Sequence, residues 1–132
     1  MTLSTVVVGV DGSQGSALAL AWCAELTRGA TTRVVAVHAV ELNAPRPTID
    51  EVDGWCAPLR EADVGYRAVV GDGDPRVVLV DVADSEAADL IVVGSRGQNT
   101  LVQLMLGSVG QFLVHRAPRP VAVVRPPDGA AE

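Results

Sequence analysis

The residues best suited to chemistry in this chain form the run Gly94-Ser95-Arg96-Gly97-Gln98-Asn99-Thr100-Leu101-Val102-Gln103-Leu104-Met105-Leu106-Gly107-Ser108. It follows an apolar run, Asp89-Leu90-Ile91-Val92-Val93, and ends where a helical pattern begins. Glycines let the backbone approach an anion and adopt positive φ, while the free N–H groups and positive dipole of a helix N-terminus attract negative charge. The chemistry indicated is phosphate binding through backbone donors, with no lysine required. Ser108 and Gln111 also have the spacing of a capping box, in which the hydroxyl serves a helix amide. The Ser108 hydroxyl suits either role.

Other catalytic signatures are missing from the sequence. The glycine run lacks the GK[ST] ending of a P-loop, and Gly9-Val10-Asp11-Gly12 does not continue as a GxGxxG fingerprint. Ser13 and Ser16 follow Asp11 without a nucleophile elbow or a paired histidine and acid. His38 falls in an apolar strand and His115 near a helix C-terminus, so both read as structural. Trp22 and Trp55 lie among helical apolar residues and read as packing residues. Cys23 and Cys56 form neither a CxxC pair nor a histidine-flanked metal set, so they read as small buried apolar residues.

The elements that must position this run follow from the hydrophobic pattern. Thr5–Val10 is short, β-branched and continuously apolar, as expected of a strand covered on both faces, and Arg33–Val40, Tyr66–Val70, Asp89–Val93 and Pro120–Val124 are further apolar, β-rich runs that read as strands. Between them, Ser13 caps a helix in which Ala17, Leu20, Ala21 and Ala24 recur and Arg28-Gly29 supplies a stop. Thr48–Ala62 reads as one weaker helix interrupted by Gly54 and Pro58. Asp74-Pro75 opens a third helix that runs to about Glu86, and Ser108–Arg116 is a fourth. Alternating strands and helices predict one α/β domain, a doubly wound sandwich with a five-stranded parallel sheet and four helices. Residues 1–126 form this domain and 127–132 a flexible tail.

Composition narrows the function. The chain has 132 residues, within the single-domain range, and a formal net charge of −6, which opposes general nucleic-acid binding. No apolar run approaches the length of a membrane span, and Met1-Thr2-Leu3-Ser4 lacks a basic signal-peptide start, so the cytoplasm is the expected compartment.

Val8-Gly9-Val10-Asp11-Gly12-Ser13, Val37-His38-Ala39, Asp89–Gly97, Gly107-Ser108-Val109 and Arg119-Pro120-Val121-Ala122-Val123-Val124 together resemble a single-domain universal stress protein of the ATP-binding type over nearly the whole chain. The resemblance implies a sheet order of 3-2-1-4-5, with the ends of the first and fourth strands side by side at the topological switch point. It implies ATP as ligand, with Asp11 and the backbone at Ala39 beside adenine and ribose. Val93 and Gly94 would border the nucleotide, and Gly97, Gly107, Ser108 and Val109 would contact ribose and phosphates, with Arg96 a further phosphate contact.

A bare carboxylate repels a triphosphate, so Asp11 suits the nucleoside side, and Mg²⁺ would lie between them if it approached the phosphates. Its alternative is to cap the next turn. Gly110 stands where ligand-binding relatives often carry Ser or Thr, which removes one hydroxyl.

The resemblance also implies a homodimer paired through the Pro120–Val124 edge strand. Three functions follow as expectations: a regulatory ATP-binding module, a ligand-free dimeric stress or interaction protein, and a slow ATP hydrolase. For the last, the sequence offers only Asp11, Arg96 and backbone amides, with no evident base.

Overall fold

Three consecutive valines in the first strand, β1 (Thr5–Gly9), set the architecture. Successive side chains of a strand point to opposite faces. Val6 and Val8 enter one apolar cluster and Val7 enters another, so helices must cover the sheet on both sides. The computed structural model describes residues 3–95 and 108–127. Its elements continue as α1 (Gln14–Thr27), β2 (Arg33–Val40), α2 (Ile49–Trp55), α3 (Ala57–Glu61), β3 (Tyr66–Asp72), α4 (Pro75–Ser85), β4 (Leu90–Gly94), α5 (Ser108–Arg116) and β5 (Val121–Val124).

The strands form one 5-stranded sheet of order β3-β2-β1-β4-β5, parallel throughout. β1 is central, pairing Val8 with Ala36 of β2 and with Val92 of β4. One face carries Val6, Val8, Val34, Ala36 and Val92 under Leu20 and Cys23 of α1, Val52 of α2 and Leu59 of α3. The other carries Val7, Val35, Val37, Ile91 and Val93 under Val78, Leu79 and Ala83 of α4 and Leu113 of α5. Burying a valine or leucine side chain contributes about 1.5–3 kcal/mol, and such residues make up most of both layers, with alanine and cysteine filling the rest.

The described residues contain five helices where four were expected, because the stretch from Thr48 to Ala62 splits in two. Pro58 has no N–H to bond Gly54, so the ladder breaks at Cys56. The chain restarts with tighter bonds from the Cys56 and Leu59 amides to the Asp53 and Cys56 carbonyls, at 3.0 and 2.9 Å. Thr48 and Glu51 close a capping box at the start of α2. The buried face of α1 is also turned from the expected one. Ala19, Leu20, Cys23 and Ala24 are inside, whereas Ala17 and Ala21 are exposed. An alanine-rich helix is apolar all round, and its pattern fixes the phase poorly.

α3 and α4 both end in Schellman turns. The Val64 amide bonds the Leu59 carbonyl and the Ala88 amide bonds the Ala83 carbonyl, each at 2.9 Å. The left-handed residues are Asp63 (φ 56°) and Ala87 (φ 52°) rather than glycine.

Candidate functional site

The strand order reverses between β1 and β4, since α1 leads from β1 to β2 on one side while β4 lies on the other. Open α/β sheets have their crevice at the carboxyl ends of the strands at such a point. A cleft of about 780 Å³ lies there, between the ends of β1, β2 and β4 and the starts of α4 and α5. Asp11, Ala39, Val93, Gly94, Ser108 and Val109 all line it. Arg96, Gly97 and Gly107 lie outside the described residues.

The Val10 amide donates to Val37 O at 2.9 Å, which extends the β1–β2 pairing by one residue and delivers Asp11 to the cleft. Asp11 Oδ1 accepts from the Ser13 amide at 2.9 Å, so the carboxylate does shape the following turn. Ser13 caps α1 by accepting from the Ser16 amide at 3.1 Å. The turn-forming and lining positions of Asp11 are therefore held together.

Gly94 has a different reason to be glycine from the one its motif suggested. A Cβ there would fall 2.5 Å from the Gly15 carbonyl oxygen, so the residue lets the first turn of α1 sit against the end of β4. Ser108 is the first residue of α5, and the position before it lies outside the described residues. Ser108, Val109 and Gly110 bring the start of α5 to the cleft, and the first N–H groups of a helix have no partner within it.

Among the further lining residues are His38 and Trp55, which read as structural along their own elements. On β2, His38 shares a face with Val34 and Ala36 by period two, the face that α1 and α2 cover. Its Nδ1 lies 2.8 Å from Val10 O, and its ring meets the Trp55 indole edge-on, with centroids 5.1 Å apart and an interplanar angle of 69°. The indole also covers Gly12, where a Cβ would fall 2.8 Å from Trp55 Cε2 and φ is +78°. Thr48-Ile49-Asp50-Glu51 fixes the start of α2, and Trp55 follows one turn after Glu51.

The charged lining is mixed. Glu41, Glu51 and Asp74 accompany Asp11, opposed by Arg46 and Arg76. Asp74 caps α4 through the Arg76 amide at 2.9 Å, and the Arg76 side chain, bonded to the same carboxyl, holds it below the usual carboxylate range. The Arg76 guanidinium also lies 5.8 Å from the Phe112 ring centroid, which ties α4 to α5 beside the cleft. Arg46 pairs with Asp72 at 2.5 Å and fastens the loop after β2 to the end of β3.

A doubly wound parallel sheet with its cleft at the switch point defines the general class of the molecule. Comparison with known proteins gives the family. The sequence profile of the Universal stress protein family matches residues 2–125. A universal stress protein of Mycobacterium tuberculosis (strain ATCC 25618 / H37Rv) is 32% identical over 136 residues, covering 91% of this chain and 45% of that relative. The chain thus spans less than half the length of that relative.

Among solved structures, a universal stress protein in complex with cAMP is 28% identical, with a TM-score of 0.79 and coverage of 95% of this chain and 98% of that one. The universal stress protein from Archaeoglobus fulgidus in complex with dAMP shares the fold at a TM-score of 0.73 and 24% identity, over 95% of this chain and 100% of that one. The chain belongs to the universal stress protein family. No helix among the described residues is long and apolar enough to cross a membrane.

Proposed function

We propose that this chain is a regulatory adenine-nucleotide-binding module that works as a cytoplasmic homodimer, with ATP as its ligand. The observation that carries the reading is the convergence of Asp11, Ala39, Val93, Gly94, Ser108 and Val109 on one switch-point cleft. Its volume lies in the range of roughly 300–1,000 Å³ that small-molecule sites occupy. The complex of a 28% identical relative with cAMP supports an adenine nucleotide as the class of ligand.

In this reading Asp11 and Ala39 stand beside the nucleoside, and Val93 and Gly94 border it. Ser108 and Val109, with Gly97, Gly107 and Arg96 of the preceding loop, take ribose and phosphates. The residues present fit such a ligand, because the start of α5 offers amide donors to phosphate while apolar Val37, Val93 and Leu79 line the interior. Among the described residues no cluster of His, Cys, Asp and Glu could hold a metal by itself. A Mg²⁺ ion would therefore be held chiefly by the phosphates it accompanies.

A second reading rests on Gly110, which is buried at the cleft and offers no hydroxyl. In it, the fold persists as a ligand-free dimer. Thermal unfolding with millimolar ATP or GTP separates the two. Nucleotide binding predicts that ATP raises Tm by several degrees and GTP by much less, as binding to the native state requires. Equal melting with and without ATP favours the ligand-free dimer.

A further inference from the structure

We propose that Trp55 is the base-recognition residue of this cleft, a role that rests on the adenine-nucleotide reading above and makes it more specific. The indole is a partly buried aromatic lining the cleft, held in place by its neighbours. Gly12 leaves room for it that no side chain could share, and His38, itself anchored at Val10 O, meets it at 5.1 Å. A large aromatic fixed in this way offers contact area at little entropic cost, and any base has a π-face to meet it.

The position of Trp55 fixes which end of the ligand it meets. The indole packs beside the cluster that α1, α2 and α3 form on one face of the sheet. α5 lies on the opposite face, where Leu113 packs with α4. The phosphate donors at Ser108 and Val109 therefore approach the cleft from one side and the indole from the other. Asp11, the residue before the indole-covered Gly12, and Glu51, one turn before Trp55 on α2, are carboxylates that disfavour phosphate at this end. An uncharged purine suits it.

Trp22 is on α1, is 40% exposed and does not line the cleft, so Trp22→Phe leaves Trp55 as the sole indole and reporter. Titrating this variant with ATP is expected to change Trp55 emission saturably, with the midpoint matching the dissociation constant from calorimetry. Trp55→Ala is expected to weaken ATP binding about tenfold or more, the scale of one base–aromatic contact, with Trp55→Phe restoring most of the loss. The emission measurement leaves Trp55 in place, so it does not depend on the alanine variant folding. Calorimetric binding with unchanged Trp55 emission, or wild-type affinity in a folded Trp55→Ala, overturns the role of Trp55 and leaves the nucleotide reading standing. Absence of binding to the wild-type chain overturns both.

Discussion

A Cβ at Gly94 would meet the backbone of Gly15, which no side-chain rearrangement can relieve. Gly94→Ala is expected to cost about 1–3 kcal/mol by overpacking, read as a lower urea midpoint, and to separate the start of α1 from β4. Ala87 presents the reverse case. It holds the left-handed position of a Schellman turn, is exposed, and carries a side chain where glycine is usual. Ala87→Gly relieves a left-handed penalty larger than the backbone entropy it adds, so stability is expected to rise by about 0.5–1 kcal/mol with an unchanged urea slope.

Burial pushes the thiol of Cys23 up to about 12 and, with a smaller contribution from Asp53, that of Cys56 up to about 11. Both are expected to resist a thiol reagent at neutral pH until the protein unfolds, and rapid labelling of the native chain would contradict this. The burial of both cysteines was legible from their lack of partner motifs. The left-handed Ala87 was not, because no turn residue marks it, and the helix end is set by tertiary fit.

The start of the central strand depends on a clamp between elements. Asp89, just before β4, accepts the backbone amides of Ser4 at 2.7 Å and Thr5 at 3.1 Å, which draw its carboxyl below the usual range. A lowered native pKa stabilises the fold fully above the unfolded value of about 3.9, and this contribution is lost as pH falls through the native value. Urea midpoints measured down through this window are expected to fall more steeply for the wild type than for Asp89→Asn, the two converging in acid. Parallel curves would show that the clamp carries no pH-dependent stability.

At this scale the sequence is informative where pattern and length agree. Arg33–Val40 was legible to the residue, and Asp74-Pro75 marked the start of α4. The division of α2 from α3 was not, because Gly54 and Pro58 weaken a helix without showing that the chain restarts it. His38 and Trp55 were missed for a related reason. Each looks like a packing residue along its own element, and only the approach of α2 to the end of β2 places both on the cleft.

Across the whole molecule, the sheet's edges are β3 and β5. In the proposed homodimer β5 would meet its copy, which would also shield an apolar edge. Pro120 O and Val124 O accept from the Ile91 and Ser95 amides, so by period two Ala122 also faces β4, while the backbone of Val121 and Val123 faces away. Val123→Pro therefore removes an outward donor and spares the pairing with β4. If the proposed dimer forms through β5, light scattering is expected to show a dimer for the wild type and a folded monomer for this variant. A dimer in both would place the interface elsewhere.

The proposed adenine-nucleotide site is the cleft between β1, β4 and α5. Its most direct test is mass spectrometry of the small molecules released from freshly purified protein, compared with a folded Ser108→Tyr variant that fills the start of α5. An adenine nucleotide is expected from the wild type, with a large reduction in the variant. An empty wild type, or equal release from both proteins, would contradict it.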